Sequence, residues 1–253
     1  MFVVSEKNEI KEYHEDERIV RLFKTHEDYN LSSRRRAVFD MLRYTHFKKV
    51  LDLACGGGGY LPIKKHFNCV YYGLDISGNM IRTAKEKARE LGIEDGVFFQ
   101  QGEAEATPFD DKSFDLVLAI CLIEYFENPD KLIEEIKRIL MKDGVLIMQS
   151  YVPNPYVHSL VPLSEYIENH VITVRKRIMH KKYTKEQLDV LLAKNGFQLI
   201  DFAFSNFCLF PTTPLDSFFK KAHVRFSEYI ARKDSKRFGS LAVNYIGKYR
   251  LIK

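Results

Sequence analysis

Four consecutive glycines, Gly56 to Gly59, follow an apolar run that carries Asp52, and a second acidic residue closes the run Gly73-Leu74-Asp75. Glycines after a buried strand let backbone approach a ligand that a Cβ would exclude, and a carboxylate at the end of the next strand accepts hydrogen bonds from ribose hydroxyls. The pairing points to nucleoside binding. A phosphate-binding loop needs Gly-Lys-Ser or Gly-Lys-Thr, because the lysine neutralises the β and γ phosphates; here Gly59 is followed by Tyr60 and Leu61. A dinucleotide fingerprint is met at Gly56 and Gly58 and fails at Leu61, and Asp52 just before the loop would repel a pyrophosphate. A nucleoside with a cationic or zwitterionic head suits that carboxylate better.

These residues need a scaffold, and the sequence describes one. From Val50 onward, short apolar runs alternate with helical patterns for about a hundred residues, as in the βαβ repeats of a parallel sheet. Strands are expected at Lys49 to Leu53, Cys69 to Asp75, Val97 to Gln101, Phe114 to Ile120 and Val145 to Tyr151. Between them lie helices, clearest at Met80 to Leu91 and at Asp130 to Met141, where Leu132, Ile133, Ile136, Ile139 and Leu140 form an apolar stripe. Lys142-Asp143-Gly144 is expected to close the second of these. Residues Val152 to Lys182 contain Pro153, Pro155 and Pro162 and no clean period, so they read as an inserted cap. Thr184 with Gln187 forms a capping box for a helix from Lys185 to Lys194, stopped by Asn195-Gly196. Phe197 to Asn206 and Ser240 to Ile252 read as two further strands, and Phe207 to Phe238, too long for a hairpin loop, carries a helical apolar stripe.

Composition bounds the answer. At 253 residues, 45% hydrophobic and 29% charged, the chain suits one large soluble α/β domain. No run approaches the roughly 18 apolar residues of a membrane span, and the charged first residues argue against a secretory signal. Four cysteines, Cys55, Cys69, Cys121 and Cys208, form no CxxC pair, so neither a zinc site nor a disulfide framework is indicated, and a cytoplasmic setting is expected. A net charge of +5 is concentrated at Arg34-Arg35-Arg36, Arg175-Lys176-Arg177 and His180-Lys181-Lys182, clusters able to meet phosphate but more often solvated helix faces.

Val50 to Gly59 resembles the first motif of class I S-adenosylmethionine-dependent methyltransferases of the type 11 kind, and Gly73 to Met80 resembles the acidic-loop motif that follows. Gly102-Glu103-Ala104-Glu105-Ala106-Thr107-Pro108-Phe109 is similar to the adenine-side loop of that family, with Glu103 where Asp is usual. Phe114 to Val117 with Ile123 to Pro129 is similar to the fourth strand and its turn, and Lys142 to Leu146 to the turn before the fifth. The resemblance implies a Rossmann-like, doubly wound, seven-stranded and mostly parallel α/β sheet whose last strand is antiparallel. It implies a single methyltransferase domain over residues 1–253, comprising an N-terminal helical segment at 1–45, a cofactor-binding core at 46–151, and substrate caps at 152–183 and 207–238.

Carried onto this sequence, the resemblance implies S-adenosyl-L-methionine held by Asp52, Ala54, Gly56, Gly58, Asp75, Ile76, Met80, Glu103, Ala104 and Ile120. Tyr13, Tyr29 and Arg34 are the N-terminal residues expected near it. Methyl transfer is an in-line displacement, so a general base is needed only for a protonated nucleophile. Glu124, Tyr125 and His158 are the catalytic candidates, beside Tyr151 and His170; no metal is expected. Ala119-Ile120-Cys121-Leu122 stands where amino-methylating enzymes of bases or glutamine carry Asn-Pro-Pro-Tyr or Asp-Pro-Pro-Tyr. A small-molecule acceptor is therefore expected, apolar or lipid-like given Phe202, Phe204, Phe207 and Phe210. The alternatives are an RNA methyltransferase using the basic clusters and a binding module without turnover.

Overall fold

Near-continuous apolar runs in the central strands, buried on both faces, fix the architecture. In the computed structural model, which describes residues 7–17, 19–20, 29–152, 181–207, 220–234 and 236–252, seven strands form one sheet. They are β1 (Lys49–Leu53), β2 (Val70–Asp75), β3 (Val97–Gln101), β4 (Phe114–Ile120), β5 (Leu140–Tyr151), β6 (Phe197–Phe207) and β7 (Ala242–Leu251), in the order β3-β2-β1-β4-β5-β7-β6. The first five pair in parallel, and β7 runs antiparallel between β5 and β6.

Successive residues of a strand point to opposite faces, and both faces are covered. Leu51, Leu53, Val117, Leu146 and Tyr249 share one core with α5 (Asp130–Ile139) and α6 (Lys185–Lys194). Val50, Leu116, Leu118, Ile147 and Ile246 share the other with α2 (Tyr29–Leu42) and α3 (Pro62–Phe67). Before them comes α1 (Lys7–Glu15); α4 (Gly78–Glu90) and α7 (Lys220–Asp234) complete the helices described. The capping box of Thr184 and Gln187 is present at α6.

Helix α5 ends two residues earlier than its periodicity suggests, because Leu140 pairs with Phe114 and is itself buried. Residues Met141 to Gly144 then bulge out before Val145 pairs with Leu116. Asp143, not the glycine beside it, takes the positive φ of 61°, while a Cβ on Gly144 would sit 2.8 Å from the Met141 carbonyl oxygen. The expected cap at 152–182 falls mostly outside the described residues, as does the start of the expected helical stripe at 207–238. Among the described residues no helix is long and apolar enough to cross a membrane.

One contact ties the two ends of the fold together. Lys248 on β7 donates from Nζ to the Met41 carbonyl (2.8 Å) and to Thr45 Oγ1 (2.6 Å), satisfying acceptors at the end of α2. Burial pulls its pKa below the usual lysine value.

Candidate functional site

At the carboxyl ends of β1, β2 and β4, where the strand order reverses direction, a cavity of about 420 Å³ opens. The chain leaving β1 folds at once onto β2: the amides of Ala54 and Cys55 both donate to the Leu74 carbonyl, at 2.8 and 3.0 Å. Ala54 adopts a left-handed φ of 65° to do so. Gly58, at φ 80°, lies outside the cavity lining; a Cβ there would meet Leu61 Cδ1 at 2.6 Å and Ala84 of α4 at 3.4 Å. It therefore serves close packing of loop against helix.

Two buried carboxylates face the cavity. Asp75 Oδ2 accepts from the Gly56 amide at 2.8 Å and Oδ1 from the Ser77 amide at 2.9 Å, so each oxygen retains a lone pair for a further donor. Burial raises its pKa, and those two amides pull it the other way. Asp52 is 2% exposed; its Oδ2 accepts from the Tyr71 hydroxyl at 2.6 Å, and burial pushes its pKa up to about 7 against that hydrogen bond.

Beside Asp75, whose carbonyl accepts from the Gly102 amide at 2.9 Å, the loop carrying Gly102, Glu103, Ala104 and Glu105 forms another wall. Its far end is clamped. Glu135 Oε1 accepts from both the amide (2.7 Å) and the hydroxyl (2.5 Å) of Thr107, and Arg138 joins Glu135 to Asp111. Arg138 first, and then Thr107, draw the Glu135 pKa down to about 2. Glu103 is half exposed, and its carboxylate pairs with Lys7 at 3.0 Å; Lys7 also pairs with Glu105.

Where Cys121 follows β4, the cavity wall carries a polar cluster. Arg34 of α2 contacts the Cys121 thiol, Cys121 donates from its amide to Gln149 Oε1 (3.0 Å), and Gln149 Nε2 donates to Asn244 Oδ1 (3.2 Å). This relay joins α2, β4, β5 and β7. Cys121 itself has φ 54°. Tyr60 lines the same region; its hydroxyl is buried without a hydrogen-bond partner among the described residues, and it feels the charges of Arg34 and Asp52.

Of the residues expected at a site, Asp52, Ala54, Gly56, Asp75, Ile76, Glu103, Ala104, Ile120 and Tyr125 line the cavity. Met80 does not: it is fully buried beneath Ile19 and Val20. Glu124 does not line it either. Its Oε1 accepts from the Tyr151 amide at 2.8 Å, Oε2 is buried without a partner among the described residues, and burial raises its pKa to about 7. Tyr13 packs beside Met80 rather than on the cavity wall, while His158, His170, Cys208, Phe210 and the side chain of Tyr29 lie outside the described residues. Lys7, Ile10, His14, Tyr60, Glu105 and Cys121 line the cavity as well. The spacing of Lys7, Ile10 and His14 on one helical face was the available signal for three of them. The Arg34-Arg35-Arg36 run is no open basic surface, since Arg34 enters the cavity and Arg35 donates to the Gly59 carbonyl at 3.3 Å.

A family profile described as "Methyltransferase domain" matches residues 46–201. Ajmaline N-methyltransferase of Rauvolfia serpentina is 33% identical over 124 residues, 47% of this chain and 43% of that protein. Phosphatidylethanolamine N-methyltransferase of Cereibacter sphaeroides is 31% identical over 103 residues, 41% of this chain and 50% of that protein. The chain thus spans half or less of these relatives' lengths. Among solved structures, the [4+2]-cyclase SpnF superposes with a TM-score of 0.66 at 18% identity, covering 99% of this chain and 97% of that one, a likeness of fold alone.

Proposed function

The chain belongs to the class I S-adenosylmethionine-dependent methyltransferases, and from that premise we propose that it methylates a small apolar acceptor at the cavity above β1 and β4. The observation that carries this reading is Asp75, a buried carboxylate lining a cavity floored by glycine backbone, each of whose oxygens accepts one backbone amide and has capacity for a further donor.

The residues present fit the cofactor. Asp75 would take the ribose hydroxyls, and Ile76 and Ala104 would flank the base. Asp52 would face the ammonium group of the amino-acid tail, whose positive charge favours the ionised form of an acid raised to about 7. Near Asp52, the Arg34 guanidinium and the Tyr60 hydroxyl are donors suited to the tail's carboxylate. When bound, S-adenosylmethionine supplies an electrophilic methyl group on a sulfonium. The protein contributes alignment and exclusion of water. Leu122, Tyr125 and Phe126, beyond the end of β4, supply an apolar wall for the acceptor. Glu124 acts as a positioning residue that holds the Tyr151 amide. The two relatives named above are N-methyltransferases, which favours a nitrogen nucleophile; a neutral amine attacks without prior loss of a proton.

Calorimetric titration of S-adenosylmethionine into the wild type and Asp75→Ala tests the core of the reading. A loss of roughly a hundredfold is expected, because hydrogen bonds to a charged acceptor contribute about 1.5–3 kcal/mol each. Unchanged affinity in the variant would remove the ribose assignment. Mass spectrometry of a small molecule that co-purifies with the protein would identify the acceptor.

A further inference from the structure

Helix α1 lies across the cavity with Lys7, Ile10 and His14 turned into it, yet none of its nine residues is buried. A helix this short is marginal by itself, so tertiary ties must hold it. Its two ends are held differently. At the C-terminal end Glu15 accepts from the amides of Gly78 (2.7 Å) and Asn79 (3.3 Å), Asn79 Nδ2 donates to the Glu15 carbonyl at 2.8 Å, and Ser77 Oγ donates to the His14 carbonyl at 3.0 Å. This cluster seats α1 on the start of α4, where negative charge is favoured by the helix dipole. At the N-terminal end the ties described are ionic, from Lys7 to Glu103 and Glu105 on the loop across the cavity. Lys7 and Glu103 are each about half exposed, at 51% and 54%, whereas Glu105 is 12% exposed.

We infer that Lys7 is a latch: α1 swings open from its Lys7 end about the Glu15 anchor, and the ion pairs of Lys7 with Glu103 and Glu105 set how long a bound nucleoside stays. The inference rests on the cavity being the cofactor site. Its physical basis is the unequal hold. Elements with few buried contacts open first, and water and salt reach an exposed ion pair more readily than a cluster of backbone hydrogen bonds. Because the paired carboxylates belong to the loop expected beside the base, closure of the helix and ordering of that wall are one event. Lys7 is thus a positioning residue that acts on retention of the nucleoside.

The test is the release rate of radiolabelled S-adenosylhomocysteine from the full chain, chased with excess unlabelled nucleoside at low and moderate salt. Release from the wild type is expected to quicken with salt; Lys7→Ala is expected to accelerate release roughly fivefold, the scale of an ion pair of this exposure, and to abolish that salt dependence. Lys7→Arg is expected to restore slow, salt-sensitive release. Release from Lys7→Ala at the wild-type rate would overturn the latch, as would a fall in the melting temperature of the ligand-free variant, since a latch holds one helix and not the core. Absence of binding to the wild type would be a different failure, removing the nucleoside from the cavity itself.

Discussion

The Tyr71 hydroxyl of β2 donates a 2.6 Å hydrogen bond to Asp52 of the adjacent β1, and burial still leaves Asp52 with a pKa of about 7. A carboxyl raised from 3.8 to about 7 binds its proton more tightly in the folded than in the unfolded chain. Folded protein therefore holds more protons between those values, and stability falls as pH rises through that window.

Asp52→Asn is expected to stabilise the ligand-free protein at pH 8 by about 2 kcal/mol. A tenfold change in proton affinity corresponds to roughly 1.4 kcal/mol, and partial relaxation of the site takes back some of the total. The amide oxygen can still accept from Tyr71. Denaturant melts from pH 4 to 8 should show a shallower decline in the variant; a residual slope remains because Glu124 is raised to about 7 as well. Cofactor affinity should move oppositely, rising through pH 7 in the wild type and staying flat in Asp52→Asn, as read by calorimetry. A parallel rise in the variant would refute the pairing with the ammonium group.

Ala54 occupies left-handed backbone at φ 65°, where a Cβ costs about 1–2 kcal/mol and a glycine does not. Glycine loses more freedom on folding, so the net gain expected for Ala54→Gly is smaller, about 0.5–1 kcal/mol. Thermal melting would register it as a rise of a few degrees; a lowered midpoint would show that the methyl group's contacts outweigh the strain.

Glu135 is expected to report on the wall that carries Glu103 and Ala104. Its pKa is depressed from 4.5 to about 2, so its contribution is complete above the unfolded carboxylate range and lost as pH falls through about 2. Glu135→Ala should cost about 2 kcal/mol at neutral pH by freeing the Thr107 amide and hydroxyl, and should flatten the acid limb of stability between pH 4.5 and 2. If the melting curves of wild type and variant stay parallel over that range, the clamp is not formed in solution.

Tyr60→Phe separates the two ends of the ligand. Removal of a buried hydroxyl with no partner should leave the ligand-free protein as stable or about 1 kcal/mol more so. Affinity for S-adenosylmethionine should fall roughly tenfold, whereas affinity for methylthioadenosine, which lacks the amino-acid tail, should not change. Equal losses for both ligands would move the tail's carboxylate elsewhere.

Most of the scaffold and the glycine floor of the cavity were legible in the sequence, because both rest on short-range patterns. Short apolar runs mark β1 to β5, the glycines follow β1 directly, and Asp52 and Asp75 lie in the ends of β1 and β2 themselves. Legibility fails where the decisive contact is distant in sequence. Glu124 looks well placed by its position after β4, but its carboxylate turns to the Tyr151 amide on β5, 27 residues on. Met80 begins a helix whose first turn is covered by Ile19 and Val20, and no local pattern announces that cover. Lys7 and Glu103 meet across 96 residues, and Tyr60 reads as one more apolar position until the charges around its hydroxyl are known.

The placement of β7 between β5 and β6 also dictates an order of events during synthesis. β6 precedes β7 in the chain but makes all its ladder pairs with it, so a nascent chain that has emerged only to Phe207 has no partner for β6, and the β5 edge stands open. Non-local pairing of this kind is slow and exposes apolar strands meanwhile. Because Lys248 of β7 also caps α2, which carries Arg34, the last of the seven strands to leave the ribosome is the one that both closes the sheet and seats the helix over the cavity.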